Sequence, residues 1–237
     1  GNTTTLTGSS TPAANPWNSS NPGIASVSAT GLVTGVSPGT TIITYTNSNG
    51  CSSSVSFVVN AAPVVFVTNP TPICNPNTVD LTVASITLGS SPGLSYAYYT
   101  DPSASVSLSN PAIVGTSGSY YIKGTDSNGC TSSVKQVNVV INALPTYTIT
   151  GNNSVCAGQS TTLTASSATS YLWNNGLGNT NSITVAPTAD TTYSVTGYDN
   201  NGCPGTATYT VIVKPLPNIN AGVDQNICIG SSVTLSG

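Results

Sequence analysis

Histidine, arginine, glutamate and methionine are absent from this chain of 237 residues, and charged side chains make up only 4% of it. Each absence excludes a class of chemistry. Nucleophilic catalysis needs a base beside the nucleophile, and only six aspartates and three lysines are on hand to serve. The chain is therefore not expected to be an enzyme. Without histidine and without a Cys-x-x-Cys pair, a zinc site has no ligand set. No cluster of Lys and Arg exists to neutralise phosphates, so nucleic acid is not an expected partner. No apolar run approaches the roughly 18 residues of a membrane-spanning helix, so no membrane insertion is expected. No secretory leader is visible; Thr3-Thr4-Thr5-Leu6 already reads as a strand, so the first residue is expected to lie inside a longer secreted protein.

What is present points to strands. The hydrophobic fraction is 38%, carried by Val, Ile, Leu and Tyr in alternating order, with 23 Gly and 16 Pro to form turns. No 3.6-residue period runs over any long window. The fold class expected is all-β. The formal net charge of −3 is small for this length. Hydroxyl and amide groups must then solvate the surface, and neighbouring surfaces of that kind repel little. This favours self-association with neighbouring repeat units, as a homopolymer or a longer array.

An internal repeat organises the sequence. Ser48-Asn49-Gly50-Cys51, Ser127-Asn128-Gly129-Cys130 and Asn200-Asn201-Gly202-Cys203 each follow a Thr/Tyr/Val-rich run and precede another alternating run and a proline. The period is about 70–80 residues, the size of a small β-sandwich. Four segments follow: 1–60, 63–142, 145–213 and the start of a fourth at 216–237. Ala61-Ala62-Pro63, Ala143-Leu144-Pro145 and Lys214-Pro215-Leu216-Pro217 are the joints. Proline stops a strand running on and stiffens the connection, so a rod of modules is expected.

The other three cysteines stand in a second context. Cys156 precedes Ala157-Gly158-Gln159-Ser160-Thr161-Thr162-Leu163, and Cys228 precedes Ile229-Gly230-Ser231-Ser232-Val233-Thr234-Leu235. Cys74 precedes the same pattern with Gly lost. One disulfide per module is the simplest expectation, Cys74–Cys130 and Cys156–Cys203, each tying an early strand to the start of the last strand across a loop of about fifty residues. Such bonds imply an oxidising, extracellular setting. Gly1–Gly8 aligns with Gly230–Gly237, so both ends stand at one phase of the repeat. Cys51 and Cys228 then lack partners and become candidates for an inter-unit disulfide. Residues 218–237 carry an apolar face (Ile219, Val223, Ile227, Val233, Leu235) that one or two strands cannot bury alone. Strand donation to a neighbouring unit and covalent continuation satisfy it equally.

The first module supplies a specific resemblance. Its run Trp17-Asn18-Ser19-Ser20-Asn21-Pro22, Ile24-Ala25-Ser26-Val27-Ser28, Gly31-Leu32-Val33-Thr34-Gly35-Val36, Gly39-Thr40 and Tyr45 resembles the group 2 bacterial Ig-like domain. The later modules are similar to cysteine-paired Ig-like repeats of very large surface proteins of gliding, type IX-secreting bacteria. Their Val-Cys-x-Gly-x-Ser-x-Thr-Leu-Thr and Asn-Gly-Cys tracts carry that similarity. The resemblance implies tandem Ig-like β-sandwich modules, with Trp173 as the aromatic between the sheets of the third. It implies an extracellular location at the cell surface. Asp190-Thr191-Thr192 resembles the O-glycosylation motif of that bacterial group, making Thr191 a candidate glycosylation site; a turn before a strand accounts for it as well.

No metal or cofactor is expected. Asp126-Ser127-Asn128-Gly129 and Asp199-Asn200-Asn201-Gly202 look like calcium loops, but Asx and Gly at a hairpin turn explain them better. The function expected is a structural repeat segment of a bacterial surface fibre, stalk or filament. The alternative is a glycan-binding adhesive module using exposed tyrosines among Tyr98, Tyr99, Tyr120, Tyr121 and Tyr198.

Overall fold

The computed structural model describes residues 3–8, 11–217 and 226–234. Every element but one single-turn 3₁₀ segment, Asn174–Gly176, is a strand.

In the first module, β1 (Thr3–Thr5), β2 (Pro12–Ser19), β3 (Ala25–Val27), β4 (Leu32–Gly35), β5 (Gly39–Asn47) and β6 (Ser52–Val59) form two three-stranded sheets, ordered β1-β4-β3 and β2-β5-β6. All pairings are antiparallel. Ala25, Val33 and Ile43 are buried between them, with Leu6, Trp17, Val27, Phe57 and Val59 packed alongside. The strand pairing loses register between Pro12 and Trp17, where Pro16 has no N–H to donate. The Trp-Asn-Ser-Ser-Asn motif has a local task. Buried Ser19 donates to the Ala25 carbonyl at 2.6 Å, while Thr41 Oγ1 meets Ser19, Ser20 and the Asn21 N–H at 3.2, 3.1 and 3.0 Å. These hydroxyls satisfy each other inside the sandwich, as buried polar groups must.

The second module is the least regular. Its strands are β7 (Ile73–Cys74), β8 (Ser95–Tyr99), β9 (Gly118–Thr125), β10 (Lys135–Val139) and β11 (Ile141–Asn142). The main sheet is ordered β10-β9-β8, and β7 pairs with β11 in parallel. Two stretches that alternate like strands do not form them. Leu81-Thr82-Val83 is a turn because the Asp80 carboxylate accepts the N–H and hydroxyl of Thr82 at 2.7 and 2.6 Å. Ser105–Leu108 keeps only a bridge at Ser107. There the Asp101 carboxylate gathers the N–H groups of Ser105 and Val106 and the hydroxyls of Ser103 and Ser105. These hydrogen bonds, that of Thr82 to Asp80 and those of Ser103 and Val106 to Asp101 foremost, hold both carboxyls below the usual carboxylate range. Aspartate that binds its own backbone competes with the strand ladder.

The third module is the most complete. β12 (Ile149–Thr150), β14 (Thr161–Ala165) and β16 (Ser182–Val185) form one sheet, ordered β12-β14-β16. β13 (Ser154–Cys156), β15 (Ser170–Trp173), β17 (Thr191–Tyr198) and β18 (Pro204–Lys214) form the other, ordered β13-β18-β17-β15. Alternate residues Tyr193, Val195, Ala207 and Val211 face inward onto Leu163, Ile183, Val185 and Trp173. Trp173 is 1% exposed, and its indole N–H donates to the Thr180 carbonyl at 2.8 Å.

Two compact units result. One joins the chain up to Thr71 with Thr78–Val140; the other joins Pro72–Asn77 with the chain from Ile141 onward. The division departs from the expected boundaries: the segment around Cys74 groups with the third module. Of the expected fourth module, residues 218–225 and 235–237, with Ile219, Val223 and Leu235, lie outside the described residues. Residues 226–234 contain a turn at Ile229-Gly230 and no strand.

Candidate functional site

The first set of cysteines closes three copies of one turn. In each, the residue four before the cysteine is Asn47, Asp126 or Asp199. Its side-chain oxygen accepts two backbone N–H groups: Asn49 and Cys51 at 3.0 and 2.9 Å, Asn128 and Cys130 at 2.9 and 2.9 Å, Asn201 and Cys203 at 2.8 and 2.8 Å. Gly50, Gly129 and Gly202 have φ of 80°, 78° and 75°, the left-handed region that glycine enters without strain. The Asx side chains of the supposed calcium loops are thus engaged by backbone.

The second set also shares a geometry. The carbonyls of Cys74, Cys156 and Cys228 accept the N–H three residues on, from Asn77, Gln159 and Ser231, at 3.0, 2.9 and 3.0 Å. Cys74 ends β7, which runs parallel to β11 with Cys74 opposite Asn142. Cys156 ends β13, which runs parallel to β18 with Cys156 opposite Lys214. Next along the chain, Asn75 donates to the Asn142 carbonyl and Ala157 to the Lys214 carbonyl.

This geometry corrects the expected disulfides. Cys156 lies beside the end of β18, whereas Cys203 stands just before its beginning. A strand rises about 3.3 Å per residue, so the eleven residues of β18 separate the two by roughly 35 Å. A disulfide needs Cα atoms about 4.4–6.8 Å apart. The pair Cys156–Cys203 is excluded, and Cys156 carries a free thiol. The pair Cys74–Cys130 is not formed either, because Cys74 is bonded to Cys203, with Cα atoms 5.5 Å apart and 129 residues between them in sequence. The bond joins the short strand that opens the second module to the turn of the third, beside the Ala143-Leu144-Pro145 joint. Cys51 and Cys228, the inter-unit candidates, are exposed and free; Cys130 is half-buried and also free.

Glycine makes room for residues at or just after two of the joints. Gly197 and Gly205 face each other across β17 and β18. A Cβ at Gly205 would collide with the Pro145 carbonyl oxygen and lie 2.9 Å from the Tyr147 ring. A Cβ at Gly197 would meet the same ring at 2.8 Å. Gly124 does the same for Val65 in the second module, at 2.7 Å. Replacing Gly205 by alanine is expected to cost about 1–3 kcal/mol through overpacking against backbone. Denaturant unfolding followed by Trp173 fluorescence in a Trp17→Phe background checks it; an unchanged midpoint would refute the close approach.

Thr191 opens β17, and its hydroxyl donates to the Ala189 carbonyl at 2.7 Å. Asp190 accepts the Val213 N–H at 2.7 Å, so this tract anchors two adjacent strands. Of the tyrosines, Tyr120 is buried with its hydroxyl on Thr116. Tyr99 and Tyr121 stand opposite each other on the other face of the sheet, next to Gln136. Tyr98 and Tyr198 are half-buried elsewhere. Among the described residues no group of three His, Cys, Asp or Glu is placed to hold a metal. Among the described residues no helix is long and apolar enough to cross a membrane.

Residues 1–58 match the family described as bacterial Ig-like domain (group 2). No curated protein matches the chain. Among solved structures, similar ones include the I-band fragment I67-I69 from titin, at 12% identity over 85% of this chain and 87% of that one, with a TM-score of 0.40. A 1.5-MDa bacterial ice-binding adhesin is similar at 13% identity over 80% and 82%, with a TM-score of 0.35. Domains 4 and 5 of the S-layer protein SbsC are similar at 17% identity over 90% and 75%, with a TM-score of 0.24. The sheets described above and the match of the first module make this an all-β chain of Ig-like β-sandwich modules.

Proposed function

We propose that the chain is a structural repeat segment of an extracellular bacterial surface fibre, stalk or filament, and not an enzyme. The observation that carries this reading is the Cys74–Cys203 bond. It ties the segment around Cys74 to the Asn200-Asn201-Gly202-Cys203 turn inside one compact unit, across 129 residues of sequence. A bond that closes so long a loop resists extension of the chain, which a load-bearing array needs and a solitary ligand-binding module does not. The neutral surface fits dense packing of neighbouring segments. The likeness of the later modules to repeats of gliding, type IX-secreting bacteria supports the same surface location.

A second reading rests on Tyr99, Tyr121 and Gln136, an aromatic and amide row on one sheet face of the second module that would suit a sugar ring. One experiment separates the two. Antibody against the purified chain is expected to decorate fibres on intact source cells at a regular interval, while the chain binds no immobilised glycan. Saturable glycan binding lost in Tyr121→Ala, with no fibres decorated, would transfer the role to adhesion.

A further inference from the structure

Asparagine followed by glycine loses its side-chain amide readily, because no Cβ hinders the glycine nitrogen on its way to the asparagine Cγ. The chain has four such pairs: Asn49-Gly50, Asn128-Gly129, Asn175-Gly176 and Asn201-Gly202. All four asparagines are exposed. Their sequence context does not separate them, but the fold does.

Imide formation requires the glycine nitrogen to leave its hydrogen bond and swing toward Cγ. In three of the pairs that nitrogen is held. Gly50, Gly129 and Gly202 donate to the carbonyls of Asn47, Asp126 and Asp199 at 3.0, 3.1 and 3.1 Å. The residues on either side of each glycine donate to the side chain of that same Asn or Asp. The whole turn must therefore open before the nitrogen can move.

The three clamps are unequal. The side-chain acceptor is a carboxylate in the second and third turns and a neutral amide in the first. A hydrogen bond to an ionised acceptor is about twice as strong as one between neutral groups. The cysteines that close the turns differ in the same order: Cys51 is exposed, Cys130 is half-buried, and Cys203 is buried and bonded to Cys74. The first and third turns each have one tie to a neighbouring segment, from the Ser48 N–H to the Thr11 carbonyl at 3.0 Å and from the Thr169 hydroxyl to Asn200 Oδ1 at 2.9 Å, so these do not distinguish them. Asn175-Gly176 is held in another way. Asn175 lies in the left-handed region, with φ 55° and ψ 25°. At that ψ the Gly176 nitrogen points away from the Asn175 Cβ, and the Leu177 N–H closes the turn on the Asn174 carbonyl at 3.2 Å.

We propose that Asn49 is a site of spontaneous deamidation in the folded protein, ahead of Asn128, Asn175 and Asn201. The Gly50 nitrogen attacks Asn49 Cγ, its proton passing through solvent to the departing amide nitrogen. A five-membered imide forms and ammonia leaves. Water then opens the imide at one carbonyl to give aspartate or at the other to give isoaspartate. One water is consumed and one ammonia released, with no change of oxidation state. Either product sets a new carboxylate on an exposed turn of a chain whose formal net charge is −3. Repulsion is thereby added to a surface solvated by hydroxyl and amide groups as the protein ages. Isoaspartate also inserts a methylene between the two N–H groups that Asn47 Oδ1 accepts, so the turn cannot keep both bonds. The third turn, under the Cys74–Cys203 bond, is the one preserved. None of this depends on the array reading.

The test incubates the folded chain in mildly alkaline buffer made with heavy-oxygen water, which marks each new carboxyl, and reads the sites by peptide mapping. Asn49 is expected to convert about fivefold faster than Asn128, the factor for about 1 kcal/mol between a neutral and a charged hydrogen bond. Asn175 and Asn201 should trail Asn49 as well. In denaturant the four should convert at similar rates. Exchanging the acceptors should exchange the rates: Asn47→Asp slows Asn49 by about fivefold, and Asp126→Asn speeds Asn128 by about the same factor. Cys74→Ser should speed Asn201 and leave Asn49 unchanged. Equal rates at the three turns of the folded chain, Asn175 level with Asn49, the same order in denaturant, or substitutions without effect would each overturn the assignment.

Discussion

Trp173→Ala is expected to remove about 3–5 kcal/mol from the third module, the range for deleting a large buried aromatic. Its ring lies at the centre of a core made by Leu163, Ile183, Val185, Tyr193, Val195 and Val211 from both sheets. The cavity left behind is bounded by strands paired on either side, which cannot collapse freely. The deletion also leaves the Thr180 carbonyl without its indole donor. Domains are stable by about 5–15 kcal/mol in total, so the loss approaches the whole of it. Leu172→Ala next door is the internal control. Leu172 is 58% exposed on the opposite face of the same strand, and its loss should stay within about 0.5 kcal/mol. Denaturant unfolding followed by far-ultraviolet circular dichroism reads both. Equal effects at the two positions would show that β15 does not alternate as described.

Much of this architecture was legible because alternation is a local signal. Tyr193, Val195 and Gly197 point inward from β17 while Thr192 does not, a pattern visible in the letters alone. Trp173 as a core residue and the Asx-Gly turns were legible for the same reason: a few adjacent residues decide each of them. Three features were not. Asp80 and Asp101 sit before stretches that alternate like strands, and their carboxylates take the backbone N–H groups that a ladder would have used. β7 and β13 are two and three residues long, too short to show a period. They account for the remaining difference, for the sequence alone sets each of these cysteines at the beginning of the strand that follows it. The structure puts Cys156 at the end of a parallel strand, beside the end of β18. Membership in one module of sequence then means opposite ends in space, and the near partner belongs to the next module. The signal that could have found it was the fixed eleven-residue interval from each joint proline to its cysteine. That interval leaves room for a short strand before the cysteine, running in the same sense as the last one.

The pairing of Cys74 with Cys203 leads to a mutational pattern that within-module pairing cannot produce. Cys74→Ser and Cys203→Ser should each lower the stability of the unit built from Pro72–Asn77 and the chain from Ile141 onward by about 2–4 kcal/mol. For about 100 residues this corresponds to roughly 10–20 °C in Tm. The closed loop spans 129 residues, for which chain entropy alone gives about 5 kcal/mol. The expected value is lower because residues Thr78–Val140 of that loop belong to the other compact unit, and whatever stays folded there when this unit melts adds no freedom. Cys156→Ser, Cys51→Ser and Cys130→Ser should each leave Tm within about 1 °C, since these thiols hold nothing together inside a single chain. Reduction of the unmodified chain should match Cys74→Ser and should add nothing to it. The local consequence is equally specific. Freed from Cys203, β7 retains only its short parallel pairing with β11, so the Asn75 amide, bonded to the Asn142 carbonyl at 2.9 Å, should exchange with solvent far sooner than the amides of β17 and β18. Calorimetry and amide exchange together decide the matter. A Cys156→Ser variant as damaged as Cys74→Ser would restore the within-module pair and remove the staple at the joint.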